Sequence, residues 1–459
     1  MRPTDPVKAF KVPTQTNVVA GHLNNGGQSQ LGFCEYGCDL FKTCMKLGNI
    51  LVRHSTVRAR PRHAGQKDES IGCNAGLHAR LLTSLSHLRR DQRTFWHHWV
   101  SHQSGGSGLA ISARSATLGI NHNLDRTSLM QAISYTAFGP AADVLEIGDV
   151  ATPTPQAGEV LVRLAFSGVN PSDVKARSGA RPGVTKPPFP RIIPHSDGSG
   201  VIEAVGDGVP TERVGTRVWI WNGQWQRPFG TAATHICLPA PQAVTMPDAI
   251  SLETGAVLGI PGLTASHAVF GGGPVEGQTV LVQGGAGTVG LLAVQLAKWG
   301  GAHVIATARG DGMAAAKQAG ADVVLDYARD DLAQAVLAEH NGTPVDRIVE
   351  VEFGLNAVVD AEVIAPNGTI AAYGSAKEMN PTLAFGPMLF KAVTIDILLI
   401  YLLPAPLRDQ AIQHLHAALE QGALNCPIAE TYALDQCAAA HVAVETGNRA
   451  GAILLDTQS

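Results

Sequence analysis

Three glycines at the spacing G-x-G-x-x-G, Gly285, Gly287 and Gly290, lie in TVLVQGGAGTVGLLAVQLAKWGGAHVIATAR, residues 279–309. The chemistry open to such a turn is phosphate binding. One glycine permits a tight turn from strand to helix. One lets the backbone approach a pyrophosphate with no Cβ between, and one lets the helix pack close on the sheet. The amides that open the helix then face the phosphates, aided by the positive end of the helix dipole. The motif alone weighs little in a chain with 50 glycines among 459 residues. Its setting weighs more. A β-branched run, Thr279 to Gln283, precedes it, an apolar helical stretch follows, and a second run, His303 to Ala308, comes next. That is the order a dinucleotide-binding unit requires. Arg309 follows the second run. An acidic residue there would accept from a ribose 2′-hydroxyl, whereas an arginine suits a 2′-phosphate. A solvated surface arginine is the competing reading, and Asp311 lies close by. The reading adopted is NADP(H).

Other reactive side chains form no comparable set. Seven cysteines are scattered and no C-x-x-C occurs, which suits free thiols in a reducing compartment. Cys34, Cys38 and Cys44 fit no usual zinc spacing. No Ser/His/Asp set or carboxylate pair stands out. Glu350 and Glu352 lie at a strand end and are given no catalytic role. The proton donor is left to water.

The elements that must position the turn come from composition and period. Hydrophobic residues make up 45% and charged residues 16% of the chain, enough for a large core. No apolar run approaches the ~18 residues of a membrane-spanning helix. The longest, Ile397 to Pro406, reads as buried. The net charge of −4 hides an asymmetry: residues 1–129 hold 16 Lys and Arg against 7 Asp and Glu, and the remainder 18 against 31. Residues 1–129 have no apolar signal run and no nucleic-acid motif. They read as a disordered tail, or as sequence upstream of the true start, with translation beginning near Met130. Residues 130–254 alternate in a β manner between Gly and Pro breaks, with strands at 160–166, 200–205, 217–221 and 234–238. From 255 strands and helices alternate, with strands at 279–283, 303–308, 322–326, 345–351, 368–373 and 393–400. This order predicts an α/β fold with a doubly wound parallel sheet. Residues 409–421 read as a helix and 452–455 as a last strand, with about 400–459 returning to the first domain.

Several stretches, taken together, resemble the medium-chain dehydrogenase/reductase superfamily, and within it the zinc-free quinone oxidoreductases of the zeta-crystallin type. They are FSGVNPSDVKARSG (166–179), IPHSDGSGVIEAVGDGV (193–209), GIPGLTA (259–265), the glycine segment itself, GADVVLDY (320–327), VDRIVEVEFG (345–354) and NGTIAAYGS (367–375). The resemblance covers nearly all of 130–459 and nothing before it. It implies a GroES-like, mostly β catalytic domain beside a Rossmann domain at 255–399. Zinc enzymes of the superfamily hold their metal with a Cys and a His in the first domain. Here Asn170 and Ser196 stand at those positions, and His195, one residue off, replaces a usual glycine. A site built from His195, His235 and His267 was weighed, and no metal is expected. Without a Lewis acid an ordinary alcohol or ketone is hard to polarise, whereas a quinone or conjugated enone accepts hydride readily.

The resemblance implies roles residue by residue. Asn170 stands near the nicotinamide as the one catalytic candidate, with a turn-capping asparagine as its alternative. Thr264 lies near the same ring. Ala286, Gly287, Thr288 and Val289 form the pyrophosphate turn. Arg309, Lys317 and Tyr327 grip the 2′-phosphate. Gly354 replaces a cofactor-contacting asparagine and leaves backbone contact only. Tyr373, Gly374 and Ser375 follow the fifth strand of the sheet, and Ile400 and Tyr401 flank the nicotinamide. Lys175 replaces a tyrosine near the substrate. The expected activity is NADPH-dependent reduction of a quinone or enone by a cytoplasmic homodimer with no membrane or nucleic-acid partner. The alternatives are an enoyl or 2-alkenal reductase on the same scaffold, and a non-catalytic NADP(H)- or RNA-binding redox sensor.

Overall fold

The structure, a computed structural model, describes residues 129–180, 183–447 and 449–459. The expectations for residues 1–128, including the start near Met130 and the three clustered cysteines, lie outside the described residues.

A short antiparallel pair opens the described chain, β1 (Leu129–Ser134) on β2 (Glu146–Ala151). The strands β3 (Glu159–Val169), β4 (Asp197–Val205), β5 (Arg217–Ile220), β6 (His235–Pro239) and β7 (Ala243–Thr245) then build an antiparallel sheet. Its inward residues, among them Val160, Val162, Leu164, Ile202, Val218, Ile220, Ile236 and Leu238, form one closed core.

The chain next alternates strand and helix: β8 (Thr279–Val282), β9 (His303–Ala308), β10 (Val323–Asp326), β11 (Val345–Glu350), β12 (Ile364–Ala372) and β13 (Thr394–Ile397). All pairings are parallel, in the order β10-β9-β8-β11-β12-β13. The order reverses between β8 and β11, and ligands of open α/β sheets bind at such a switch point. Helices cover both faces, so both sides of each strand are apolar. Val280, Val282, Val304, Ala306, Val349 and Ala371 pack into one core, and their neighbours Leu281, Ile305, Ile348 and Ile370 into another. The alternation follows from the two-residue period of a strand.

The chain finally returns. β14 (Ile428–Ala433) pairs with β15 (Ala452–Asp456), and β15 joins β3. The helix Cys437–Thr446 lies between them in sequence and buries Cys437, Ala440, His441 and Val444. The helix Ala405–Glu420 is tied to the helix Leu263–Phe270 by Ser266 Oγ, which donates to Ala411 O at 3.1 Å.

One expectation is corrected. The apolar run from Ile397 is not buried as a whole: Ile397 is 80% exposed and Leu402 63%, while Leu398, Ile400 and Tyr401 are buried. β13 is an edge strand that ends at Ile397. The chain then turns back over the sheet, so alternate side chains meet solvent and interior.

Candidate active site

A cavity of about 630 Å³ opens at the carboxyl ends of β8, β11, β12 and β13, facing the end of β3 and the start of β4. Its size falls within the usual range for small-molecule sites.

The glycine turn forms its floor, with a division of labour among its glycines. The residue in the left-handed region is Gly284, at φ +69°, one before the first glycine of the motif. A Cβ on Gly290 would lie 2.2 Å from Gly284 O, so this glycine serves the close approach of helix to turn. A Cβ on Gly285 would lie 2.9 Å from Ala306 Cβ, so it serves packing on β9. Gly287 differs. It is the residue before the helix Thr288–Trp299, at φ −72°, and the nearest atom to a built Cβ is 3.6 Å away. Nothing in the protein requires glycine there, and the position faces the cavity.

Of the residues singled out in the sequence, Asn170, Thr264, Gly287, Thr288, Val289, Tyr373, Gly374, Ser375, Ile400 and Tyr401 line this cavity. Some side chains there are already engaged. Thr288 Oγ1 donates to Gly451 O at 2.9 Å, so Thr288 has its backbone amide left for a phosphate. Ser375 Oγ accepts from Gly354 N at 2.9 Å and donates to Glu378 O. Tyr401 donates to Ser172 Oγ at 3.0 Å and stacks on Trp225 with centroids 4.5 Å apart. Burial pushes the hydroxyls of Tyr373 and Tyr401 up.

The other candidates lie outside the cavity lining. Gly285 packs toward Ala306, Gly290 toward Gly284, and Ala286 lies against Gly312. Tyr327 N donates to Ala308 O at 3.3 Å, which sets the exposed Tyr327 beside the exposed Arg309 where β9 and β10 end. Lys317 is not brought to them. Its ammonium donates to Asp322 O at 2.7 Å, next to the start of β10, about 13 Å of strand away from its carboxyl end. Gly354 offers no free backbone amide, since Ser375 takes it. A Cβ at Gly354 would lie 2.0 Å from Glu378 O, so the loop after β12 fills the space of a side chain. The weighed histidine trio does not assemble: His235 pairs with Glu203 at 3.1 Å, His267 with Asp396 at 3.4 Å, and His195 lies elsewhere.

Asp197 is the residue that sequence reasoning missed. It opens β4, is fully buried and lines the cavity. Asn170 Nδ2 donates to its Oδ1 at 2.8 Å, and Ile260 N donates to its Oδ2 at 3.1 Å. Burial, with Asp173 nearby, holds its pKa well above the usual carboxylate range. The only sequence signal was its place beside Ser196. Asn170 is also the N-cap of the helix Pro171–Ser178: its own N–H donates to Asp173 Oδ2 at 2.8 Å, one bond of a capping box, while its side-chain amide turns to Asp197. Lys175 also reaches the cavity. So does Glu352, whose carboxylate accepts from Ala376 N and Lys377 N and so holds the loop after β12.

Comparison with known proteins agrees with this fold. Residues 156–269 match the alcohol dehydrogenase GroES-like domain family, and residues 288–416 the zinc-binding dehydrogenase family. Quinone oxidoreductase of Rattus norvegicus is 30% identical over 328 residues, covering 68% of this chain and 93% of its own length. Quinone oxidoreductase of Pseudomonas syringae has a similar structure, with a TM-score of 0.63 at 29% identity, covering 71% of this chain and 99% of its own. A mycobacterial protein whose structure is complexed with NADPH gives the same TM-score, 0.63, at 29% identity.

Proposed function

We propose that this chain, which belongs to the medium-chain dehydrogenase/reductase superfamily and to its quinone oxidoreductase branch, is an NADPH-dependent reductase of quinones or conjugated enones that works without a catalytic metal. The observation that carries the reading is the pair Asn170–Asp197 in the cavity. Where a zinc enzyme of the family places a thiolate, Asn170 offers an amide, and Ser196 replaces the imidazole. That donor set does not hold a zinc ion.

The chain fits a dinucleotide. Gly287 leaves open a space that a Cβ would fill, beside the start of the helix Thr288–Trp299, and backbone amides there suit a pyrophosphate. The exposed Arg309 beside Tyr327 supports a 2′-phosphate and so NADPH over NADH. Bound NADPH supplies a hydride. The protein's part is orientation, exclusion of water and control of the accompanying proton. Thr264, Ile400 and Tyr401 shape the cavity wall where the reacting ring would lie. Asp197 fixes the Asn170 amide through one Nδ2 hydrogen, leaving the second hydrogen and Oδ1 for whatever binds. Burial raises the pKa of Asp197, and its carboxyl lies in the cavity where negative charge would gather on a carbonyl oxygen as hydride arrives.

The same reading takes residues 130–254 with about 400–459 as the substrate-side domain, 255–399 as the cofactor domain, and the active species as a cytoplasmic homodimer. The edge strand β13, with Ile397 exposed and Phe385, Leu389 and Phe390 near it in sequence and also exposed, supports self-association. No described helix is long and apolar enough to cross a membrane.

The test is a steady-state screen. NADPH and NADH are each offered with 9,10-phenanthrenequinone, a simple enone and, in the reverse direction, primary alcohols. Faster oxidation of NADPH with quinone or enone is expected. Oxidation of alcohols with NAD+, and no quinone or enone turnover, would overturn the reading.

A further inference from the structure

Behind the cavity wall, away from the cavity lining, three metal-binding side chains converge. His195, Cys437 and His441 are all fully buried, and one ligand atom from each lies within 4.8 Å of the others. Cys437 and His441 are one turn apart on the helix Cys437–Thr446 and so share a face. His195 comes from the strand side, 246 residues away in sequence, with its Nε2 2.9 Å from His441 Nε2.

The hydrogen-bond network decides which form His195 takes. Thr231 Oγ1 donates its single proton to Asp197 O at 2.6 Å. Ser167 Oγ, 2.8 Å from Thr231 Oγ1, must therefore donate to it. Ser167 Oγ then accepts from His195 Nδ1, 2.9 Å away. His195 is thus protonated on Nδ1, and its Nε2 presents a lone pair toward His441 and Cys437. An imidazole whose second nitrogen is held by a hydroxyl is the usual arrangement of a metal-ligating histidine. His195 also occupies the left-handed backbone region at φ +76°, where glycine would sit without strain.

From this geometry we propose that His195, Cys437 and His441 bind a soft d10 cation, copper(I) or zinc(II), in a buried site separate from the hydride-transfer cavity. Imidazole and thiolate donors suit both ions. Burial keeps both histidines neutral, the ligating form, and lowers His441 to about 3, with Arg177 adding to the effect. The same burial raises the Cys437 thiol, so the cation would bind by displacing the thiol proton to solvent. The cation would take the place of the proton between the two Nε2 atoms, that proton moving to His441 Nδ1, and would tie the returning helix to the segment before β4. Arg177, paired with Glu445, and Asp173, whose carboxylate accepts from Asn170 N, are the charged groups nearby.

The test uses the full chain, purified under reducing, anaerobic conditions. Zinc(II) or copper(I) is supplied from a weak competing chelator, bound metal is counted after desalting, and melting is followed with and without each ion. Two variants separate metal binding from packing: His195→Gly, which suits the positive φ, and Cys437→Ala. The wild type should retain one more equivalent of one of the two ions than either variant does. It alone should melt several degrees higher with that ion, because binding to the native state stabilises it. Equal metal content and equal melting shifts in all three proteins would overturn the proposal.

Discussion

Gly287 and Gly290 lie three residues apart in one turn, yet alanine at each should fail in opposite ways. At Gly290 the new Cβ would lie 2.2 Å from Gly284 O and 2.9 Å from Gly285 Cα, whereas ordinary contact begins near 3.4 Å. Those atoms are backbone and cannot rotate aside, so helix and turn must part. Overpacking of this kind costs about 1–3 kcal/mol or more, against a gain of about 1 kcal/mol from replacing a helical glycine. Gly290→Ala should therefore destabilise the protein. At Gly287 the nearest atom is 3.6 Å away and φ is −72°, so Gly287→Ala should keep stability or raise it by about 0.4–1 kcal/mol. It should nonetheless weaken NADPH binding at least ~10-fold, about 1.4 kcal/mol, because the methyl stands where the pyrophosphate meets the backbone. Denaturant unfolding of the cofactor-free protein and fluorescence titration with NADPH measure both effects. A Gly287→Ala protein that is stable and binds NADPH within about twofold of wild type would refute the assignment of this turn to the pyrophosphate.

Arg309→Ala should shift the kcat/KM ratio from NADPH toward NADH by ~10-fold or more, the scale of one lost charged hydrogen bond. Lys317→Ala should leave that ratio unchanged, since its ammonium is occupied at Asp322. Asp197→Ala strips two buried donors, Asn170 Nδ2 and Ile260 N, of their acceptor. It should cost about 1–3 kcal/mol per orphaned donor and lower kcat more than it changes KM. Glu350 is raised from 4.5 to about 7 by burial, with the neighbouring Asp360 raised as well. The folded state thus keeps a proton that the unfolded chain releases. Its stabilising effect is complete below about pH 4.5 and is lost as pH rises through about 7, by up to about 3 kcal/mol. Urea unfolding at pH 5 and pH 8 should show this loss, and Glu350→Gln should reduce it, Asp360 keeping its own share.

Much of the fold was legible because its signals are local. Short buried runs such as Thr279–Val282, apolar at three of four positions, announce strands covered on both faces, and their alternation with helical stretches announces parallel pairing. The glycine turn was legible for the same reason, since its geometry is set by six consecutive residues. The boundaries were less so. Ile397 to Pro406 looked uniformly apolar, but an edge strand followed by a turn shows alternate residues to solvent. Gly284, with its positive φ, was hidden behind the motif that follows it. Lys317 fell at a suitable offset from Arg309, yet its ammonium found a carbonyl at the other end of β10.

Sequence by itself determined the alternation of strands and helices after residue 255 and the strand–turn–helix setting of the glycine motif, because each depends on residue identity and short spacing. Only the tertiary structure decided that Asp197 is buried, has a raised pKa and is bonded to Asn170. It alone sorted the glycines by what each Cβ would strike. It also brought His195, in the segment before β4, against Cys437 and His441 on a helix, His441 being 246 residues later. Burial and long-range contact are properties of the packed chain, and they set the charge, tautomer and partners of a side chain whose identity alone leaves all three open.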